Sequence, residues 1–336
     1  MSANGNPVQA IWQKLDLMTP MALRVAATLR LADHIGDSPR TDEEIAARAS
    51  ADRDAVARLL SFLAARGIFS EPAPGCFAVN EMAAVLRDDH PSGTRRWIDL
   101  NGFGGDMDRA VFELLDAVRG TRKPANAAPE TAASFDSLME AGTRAQAAPL
   151  IAACDFAGVS HVVDVGGGTG VLLAEALRVH PSLRGMLIEL PGTAANARSQ
   201  LAAAGVAERC EVMAGSMFDV AMPAADAYIL KFLLHGCNDA DAIGVLRRCR
   251  EASAAGSRVW IMERTVADGD GLAQFTGMDL LMLVLNEGRE RTIAAYSALA
   301  DQAGLVLRTA TPTRAQIHVL EMVHSRNQEA GIRKQA

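Results

Sequence analysis

The sequence predicts an α/β protein with a Rossmann-like, mostly parallel sheet and a C-terminal antiparallel hairpin, preceded by a helical, winged-helix-type domain. Apolar residues recur at helical spacing before residue 160, and strand-like runs alternate with helical runs after it. Such alternation is typical of a parallel sheet covered on both faces, whereas the last two strand-like runs are separated by only a short gap. We therefore expect one domain over residues 1–150 and a second over residues 151–336.

The N-terminal part begins with an amphipathic pattern in which Trp12, Leu15, Met18 and Val25 recur at helical spacing. Next, Thr41 is followed three residues later by Glu44, which predicts a capping box at the start of a helix. A longer helix over 54–66 and strands over 67–69 and 76–79 complete the order of a winged helix.

A winged helix raises the possibility of DNA binding, because Arg53, Arg58 and Arg66 lie on or beside its second helix. Acidic residues crowd the same unit, however, and acids repel phosphate: Asp42, Glu43, Glu44, Asp52 and Asp54. We expect a dimerisation or substrate-lid role for this domain and no nucleic-acid partner. A winged-helix, ligand-responsive transcription regulator stays open as an alternative function.

Composition limits the class of protein further. The chain has 336 residues, 49% hydrophobic and 22% charged, with a formal net charge of −7, which allows a sizeable core and disfavours a broad nucleic-acid face. No apolar run approaches the length of a membrane span. The scattered cysteines and the absence of a signal-peptide pattern predict a cytoplasmic protein, and no residues have metal-ligand spacing.

The second half predicts a regular alternation of elements. The predicted strands cover residues 161–165, 186–190, 210–214, 227–234, 259–263, 305–309 and 317–323. The predicted helices between them cover residues 171–179, 193–204 and 239–254. The preceding stretch over 121–133, rich in alanine and proline, predicts a loop or linker.

The strongest local signal is VVDVGGGTG over 162–170, where a buried strand runs into a glycine turn and a helix. Glycines allow close backbone approach to a ligand, and a helix N-terminus offers free N–H groups to an anion. Glu189 ends the next strand, where a carboxylate can accept hydrogen bonds from ribose hydroxyls. The dinucleotide pattern would place its last glycine at Val171, so these features fit either a dinucleotide or S-adenosylmethionine.

Six segments together resemble the small-molecule O-methyltransferases of plant and bacterial secondary metabolism, the dimeric and metal-independent kind. They are VVDVGGGTG (162–170), IELPG (188–192), GSMFD (215–219), AYILKFLLH (227–235), MER (262–264) and GRERT (288–292). The pattern is most similar to bacterial antibiotic-pathway members, including polyketide and naphthoate methyltransferases. The resemblance implies S-adenosylmethionine as cofactor, an aromatic small-molecule substrate and a homodimer.

The resemblance also implies roles for individual residues. The cofactor-binding set is Asp164, Gly166, Gly168, Gly170, Glu189, Ser216, Met217, Phe218 and Lys231. Within it, the glycines would cradle the methionyl part, Glu189 would hold the ribose, and Lys231 would reach the cofactor carboxylate. Met217 and Phe218 would border the adenine, and Ser216 replaces the aspartate that relatives usually carry. His235 would be the catalytic base, flanked by Glu263 and Glu290.

Methyl transfer to a phenol requires a base, because a phenol with a pKa of ~10 is largely neutral at pH 7. A neutral histidine suits this task, and His235 ends the apolar run 228–234. Glu263 ends the next strand at the same edge of the sheet. We therefore expect its carboxylate to accept the Nδ1 proton of His235 and fix the tautomer.

An acceptor pocket is predicted along one helical stretch. Phe275, Met278 and Met282 follow at helical spacing, and methionines adapt to flat aromatic ligands. Trp97 and Met139 are further candidate pocket residues. Ser216 and Cys237 depart from the family pattern, so a methyltransferase-fold enzyme with a non-methylating activity, such as a hydroxylase, decarboxylase or cyclase, stays open as an alternative.

Overall fold

The computed structural model describes residues 6–122, 129–265, 272–314 and 317–325. Contacts between these residues define two compact units. Of the described residues, the first unit holds 6–109 and 129–138, and the second holds 110–122 and those from 139 onward. The boundary predicted at residue 150 falls inside a helix, Pro129–Ala152, which contributes residues to both units.

The first unit is mostly helical and carries a small antiparallel sheet of order β1-β3-β2. Its helices are α1 Pro7–Lys14, α2 Met18–Thr28, α3 Leu31–Ile35, α4 Asp42–Ala49, α5 Arg53–Ala64, α6 Glu81–Ala84, α7 Thr94–Trp97 and α8 Phe103–Val111, the last of which crosses into the second unit. Its strands are β1 Arg40–Thr41, β2 Ser70–Ala73 and β3 Cys76–Ala78.

Local side-chain contacts explain where the helices of this unit begin. The capping box predicted at Thr41 is confirmed: its hydroxyl accepts the Glu44 amide at 3.3 Å, and the Glu44 carboxylate accepts the Thr41 amide at 2.9 Å. The apolar pattern predicted over 12–25 is interrupted, because Asp16 accepts the Met18 amide at 2.9 Å and starts a second helix there.

The hairpin after α5 begins later than predicted. Gly67 adopts a φ of +72°, and the Gly67 and Ile68 amides donate to the Ala64 and Leu63 carbonyls at 2.8 and 3.0 Å. Residues 67–69 therefore close the helix, and the strand begins at Ser70, so the predicted strand over 67–69 is wrong. The predicted order of helix, helix and hairpin is confirmed.

The arginines that raised the question of DNA binding are engaged within the first unit. Arg53 forms an ion pair with Asp42 at 3.0 Å, and Arg58 forms one with Asp54 at 3.5 Å. The Arg66 guanidinium donates to the Thr19 hydroxyl at 2.8 Å. Each of these positive charges therefore has a partner on its own chain.

The second unit is built on a seven-stranded sheet of order β6-β5-β4-β7-β8-β10-β9. Its strands are β4 His161–Val165, β5 Arg184–Glu189, β6 Cys210–Ala214, β7 Ala227–Lys231, β8 Arg258–Glu263, β9 Leu305–Pro312 and β10 His318–His324. Strands β4 to β8 pair in parallel, and β10 pairs antiparallel with both β8 and β9. The predicted sheet and its antiparallel edge hairpin are confirmed.

Helices pack on both faces of this sheet. Residues of α10 Pro129–Ala152, α11 Val171–Val179 and α12 Pro191–Ala203 pack in one core, and residues of α13 Asp239–Ala252 and α15 Ile293–Gln302 pack in the other. The unit also contains α9 Leu114–Val118 and α14 Leu272–Asn286. Successive strand residues enter different cores: Val162 packs in one cluster and Val163 in the other. A strand buried on both faces reads as a continuous apolar run, which is why the sequence revealed these strands clearly.

The topology directs attention to one edge of the sheet. The chain order reverses between β5 and β7, which lie on opposite sides of β4. In open α/β sheets, ligands bind outside the carboxyl ends of the strands at such a reversal. The site is therefore expected in the loops after Val165, Glu189, Ala214, Lys231 and Glu263.

Two predicted boundaries are wrong for physical reasons. Strand β7 ends at Lys231 instead of residue 234, because Phe232 adopts a φ of +49° and the chain enters the 3₁₀ turn Leu234–Gly236. Residues 129–133 of the predicted loop over 121–133 are helical, although 123–128 lie outside the described residues. The Thr131 hydroxyl there donates to the Asp106 carboxylate, a tertiary contact that the sequence pattern could not reveal.

No described helix is long and apolar enough to cross a membrane.

Candidate active site

The glycine loop forms a tight turn between β4 and α11. Gly166, Gly168 and Gly170 have φ values of +66°, +60° and +82°, and α11 begins at Val171. A Cβ at Gly166 would lie 2.6 Å from a Leu233 methyl carbon, whereas one at Gly168 would meet no atom within 4 Å. The loop is thus closed against the turn after β7 but leaves its backbone open at Gly168.

Asp164 lies beneath this loop and is 1% exposed. Neither of its carboxylate oxygens has a hydrogen-bond partner within the described part of the chain. Burial raises the pKa of Asp164 to about 7, a shift that Lys231 opposes and Glu189 reinforces. A buried carboxylate without a hydrogen-bond donor is energetically costly. Asp164 is therefore suited to bind an ammonium or N–H group of a ligand.

Glu189 ends β5 beside the same loop. One carboxylate oxygen accepts the Gly168 amide at 2.9 Å, and the other accepts the Leu190 amide at 2.7 Å. The structure therefore brings this predicted ribose-binding acid directly to the glycine loop.

Lys231 ends β7 and its ammonium group lies in a confined position. It donates to the Thr143 hydroxyl at 3.0 Å and lies 4.2 Å from the centre of the Phe232 ring. Burial lowers the pKa of Lys231 to about 8, although the Asp164 and Glu263 carboxylates oppose that shift. The sequence did not predict Thr143, on α10, as a site residue. Its position one helical turn after the candidate pocket residue Met139 could have indicated that it lies on the same face of the helix.

The turn after β6 holds three residues of the predicted cofactor-binding set, Ser216, Met217 and Phe218. The Gly215 amide donates to the Glu189 carbonyl at 2.8 Å, which fixes this turn beside the end of β5. The Ser216 hydroxyl accepts the Phe218 amide at 3.1 Å and so shapes the turn. Met217 packs against the core, whereas Phe218 is 44% exposed and available to a ligand.

His235 lies in the 3₁₀ turn after β7 and pairs with Glu290. The imidazole Nδ1 lies 3.0 Å from a Glu290 carboxylate oxygen, and the Glu290 side chain is 2% exposed. Burial lowers the pKa of His235, but the Glu263 and Glu290 carboxylates outweigh it, and the net pKa is raised. With Nδ1 held in this way, Nε2 is the ring nitrogen left to accept a proton.

Glu263 has a different role from the predicted one. One of its oxygens accepts the backbone amides of Leu233, Leu234 and His235 at 3.0, 3.0 and 3.2 Å. The expectation that it accepts the Nδ1 proton of His235 is wrong, and Glu290 has that position. Glu263 ends the strand next to β7, so its carboxylate meets the main chain that leaves β7. Burial raises the pKa of this fully buried acid, although His235 and the backbone amides lower it.

Helix α14 packs against the turn that carries His235. Its predicted pocket residues occupy one stretch of that helix: Met282 is buried, and Phe275 and Met278 are half-buried. Asp279, which the sequence did not single out, accepts the Glu290 amide at 2.8 Å and connects α14 to the segment that carries Glu290. Met139 is half-buried on α10, while Trp97 belongs to the first unit and is 36% exposed.

Comparison with known proteins identifies the family. Residues 119–306 match the model of the O-methyltransferase domain, and residues 12–89 match the O-methyltransferase dimerisation domain. The chain belongs to the O-methyltransferase family. It is a methyltransferase of the S-adenosylmethionine-dependent type, and its N-terminal unit carries the family's dimerisation domain.

Several relatives span nearly the whole chain. A 2,7-dihydroxy-5-methyl-1-naphthoate 7-O-methyltransferase from Streptomyces carzinostaticus is 40% identical over 91% of this chain and 95% of its own length. The aclacinomycin 10-hydroxylase RdmB from Streptomyces purpurascens is 38% identical over 91% of this chain and 88% of its own. The structure of the O-methyltransferase NcsB1 with S-adenosylmethionine and 2-hydroxy-5-methyl naphthoic acid superposes with a TM-score of 0.85, 39% identity, and coverage of 93% and 98%.

The O-methyltransferase domain contains every predicted site residue except Trp97, which lies outside both matched regions. Of the two departures from the family pattern, Cys237 is 5% exposed and its thiol donates to the Leu233 carbonyl at 3.5 Å. This cysteine is therefore part of the packing of the turn. Within the described residues, no group of three or more His, Cys, Asp or Glu side chains could hold a metal ion.

Proposed function

We propose that this chain methylates a hydroxyl group of an aromatic, phenolic intermediate of bacterial secondary metabolism, with His235 as general base. The observation that carries the proposal is the His235–Glu290 pair at 3.0 Å at the carboxyl edge of the sheet, in a chain of this family. The aromatic acceptor is supported by the relative that acts on a dihydroxy-naphthoate.

The residues present fit S-adenosylmethionine. The orphaned Asp164 carboxylate and the confined Lys231 ammonium offer opposite charges, as the zwitterionic amino-acid part of the cofactor requires. Gly166, Gly168 and Gly170 would border that part, and Glu189 would receive the ribose hydroxyls. Ser216, Met217 and Phe218 would border the adenine. When bound, the cofactor supplies an electrophilic methyl group.

The protein's own contribution to the reaction is removal of the acceptor proton. Glu290 holds the Nδ1–H of neutral His235, and Nε2 accepts the phenolic proton as the oxygen attacks. Glu263 acts on the same turn by binding its main-chain amides. Phe275, Met278 and Met282 offer adaptable apolar contacts to a flat ring. Trp97 and Met139 stay candidate pocket residues.

The decisive experiment incubates the protein with methyl-labelled S-adenosylmethionine and a panel of hydroxylated naphthoates, simple phenols and aromatic acids without hydroxyl groups. We expect label in the hydroxylated compounds only. A second candidate function, hydroxylation on the same fold, is favoured by the similarity to aclacinomycin 10-hydroxylase. Mass spectrometry of the products distinguishes methyl transfer from hydroxylation. Products that gain oxygen but carry no labelled methyl group would support hydroxylation and contradict methyl transfer.

We further propose a homodimer assembled through the N-terminal helices. Helix α1 buries none of its residues, and its surroundings expose large apolar side chains: Val8, Ile11, Trp12, Leu15, Leu17 and Met18. Contiguous exposed apolar surface is typical of interaction sites. Light scattering at micromolar concentration should show a dimer, and Trp12→Asp should weaken it. A monomer for the unmodified chain would contradict the proposal. The cytoplasmic location and the absence of a nucleic-acid partner stay predictions from the sequence.

A further inference from the structure

The segment 288–291 packs directly on the turn that carries His235. The Arg289 amide donates to the His235 carbonyl at 2.9 Å. A Cβ on Gly288 would lie 2.2 Å from that same carbonyl oxygen, so the segment approaches as closely as a glycine allows. The chain continues with Glu290, which binds the imidazole, and then Arg291.

Arg291 is 3% exposed and its guanidinium binds both ends of the turn. One terminal nitrogen donates to the Leu234 carbonyl at 2.7 Å, and the other donates to the Cys237 carbonyl at 2.8 Å. The second nitrogen also donates to Asp239 at 2.7 Å, and Nε donates to the same carboxylate oxygen at 3.1 Å. The three acceptors are the Leu234 carbonyl, the Cys237 carbonyl and the Asp239 carboxylate. Only a guanidinium, which is planar and holds several N–H donors in fixed directions, can bind all three together.

Opposite charges therefore hold the two sides of the turn's main chain. The Glu263 carboxylate accepts the amides of residues 233, 234 and 235. The Arg291 guanidinium donates to carbonyls of residues 234 and 237. Hydrogen bonds to charged groups are the stronger kind, and a carbonyl left unpaired in this buried place would be costly.

We propose that Arg291 is a positioning residue for catalysis: it fixes the turn so that His235 meets Glu290 and presents Nε2 to the acceptor. The inference rests on the proposed role of His235 as general base. The hydrogen bonds of Arg291 go to main-chain carbonyls and to Asp239, and not to the imidazole, so its effect on the reaction passes through the geometry of the turn.

The test compares Arg291→Lys with Arg209→Lys. Arg291→Lys keeps the positive charge but replaces the planar guanidinium with a single ammonium group. Arg209 is a matched control, because its guanidinium also binds main-chain carbonyls, those of Leu177, His180, Pro181 and Leu183 at 2.8 to 3.3 Å, near the opposite ends of the strands. Both variants leave unchanged the charged groups that act on His235, namely Glu263, Glu290 and Arg264.

We expect Arg291→Lys to lower kcat/KM by about 10- to 100-fold, as a small misplacement of a catalytic group does. The acid limb of the pH profile should move to lower pH, because a looser contact with Glu290 raises the pKa of His235 less. Arg209→Lys should keep the wild-type profile. Affinity for S-adenosylhomocysteine should be the same in all three proteins.

A second readout does not depend on activity. Nitrogen-15 NMR of the His235 ring should show a single Nδ1-protonated tautomer in the unmodified protein and in Arg209→Lys at high pH, and a mixture in Arg291→Lys. If the unmodified protein methylates nothing, the proposed function fails while this tautomer comparison still tests the positioning role.

Identical pH profiles and identical tautomers in Arg291→Lys and Arg209→Lys would overturn the inference. If Arg291→Lys does not fold, Asp239→Asn takes its place, since the half-exposed Asp239 side chain anchors the guanidinium from outside. We expect Asp239→Asn to shift the acid limb in the same direction by a smaller amount, and an unchanged limb and tautomer would overturn the proposal.

Discussion

Asp164 and Glu263 are both buried carboxylates near the carboxyl edge of one sheet, yet their surroundings differ. Asp164 has no hydrogen-bond partner for either oxygen within the described chain, whereas one oxygen of Glu263 accepts three backbone amides. One oxygen of Glu290 likewise contacts the imidazole of His235. On the proposed cofactor side, formed by the glycine loop, Asp164, Glu189 and Lys231, the protein supplies no donor for the Asp164 carboxylate. On the proposed catalytic side, formed by His235, Glu263 and Glu290, the protein supplies donors for one oxygen of each acid. The comparison teaches that Asp164 is the acid best placed to receive its partner from a ligand.

The largest expected effect is on the catalytic side. His235→Ala should lower turnover by roughly 10²–10⁴, the usual worth of general-base catalysis, because the phenol loses its proton acceptor. Affinity for S-adenosylhomocysteine should stay the same, since Glu189, Asp164 and Lys231 are untouched. Calorimetry and a methylation assay measure the two quantities separately.

Raising the pH should partly rescue His235→Ala, because a phenol that ionises in solution needs no base. Full activity of the variant at neutral pH would contradict the assignment and indicate an acceptor that is already ionised.

Glu290→Gln tests whether the reactivity of His235 depends on the buried negative charge of Glu290. The carboxylate raises the pKa of His235 against the opposing effect of burial, so its loss should lower that pKa. The acid limb of kcat/KM should move to lower pH, and the rate at the plateau should fall about 10-fold or more, because the charge that stabilises the imidazolium is gone. The exposed Glu287→Gln is the matched control. A limb that stays in place or moves to higher pH would refute this electrostatic role.

Glu189→Ala tests the cofactor side. Loss of hydrogen bonds from a carboxylate to ribose should cost ~1.5–3 kcal/mol per bond at most, which corresponds to about 10- to 100-fold in affinity. Calorimetric titration with S-adenosylhomocysteine measures it, with the exposed Glu208→Ala as control. An affinity equal to that of the control would remove Glu189 from the site.

Asp164→Asn sharpens the comparison, because its effects on stability and on binding should have opposite signs. The pKa of Asp164 is raised to about 7 in the folded protein, above the ordinary value of 3.8. The folded state therefore holds this proton more tightly, and stability falls as pH rises from about 4 to about 7. At pH 8 the neutral asparagine avoids this loss, and we expect a Tm about 2–4 °C higher in the free protein.

Cofactor binding should respond in the reverse way. Affinity of the unmodified protein for S-adenosylhomocysteine should rise with pH through about 7, as the Asp164 carboxylate ionises toward the ammonium group of the ligand. Asp164→Asn should bind more weakly and lose this pH dependence. A variant that is less stable without ligand at pH 8 would contradict the raised pKa of Asp164. A variant that binds as well as the unmodified protein would place Asp164 outside the cofactor site.

The sequence predicted the strand, turn and helix around the glycine loop well because their signals are local. A buried strand, three spaced glycines and a helix start lie within VVDVGGGTG, and the strand 161–165 and helix 171–179 were placed at their observed bounds. The position of Glu189 beside this loop was predictable because Glu189 ends the next parallel strand, and parallel strands end at the same edge of the sheet. Each of these features depends on neighbours in the chain.

The catalytic side was predicted less completely because its contacts join distant residues. The amides of residues 233–235 bind a carboxylate 28 to 30 positions away, and Arg291 reaches carbonyls more than 50 positions away. No periodicity reveals that a side chain will bind the main chain of another segment. The predicted strand over 227–234 was therefore too long. The sequence did not single out Thr143 or Asp279, and it indicated Arg291 only as part of GRERT (288–292).

The contacts that hold the turn over residues 233–237 have a consequence for which substitutions the turn tolerates. Glu263, Arg291 and the Arg289 amide all bind peptide groups of residues 233–237, whereas Glu290 binds the side chain of His235. A peptide group is the same whatever side chain it carries. Leu233, Leu234 and Cys237 can therefore be exchanged for residues of similar volume while the main-chain contacts that position the imidazole are kept.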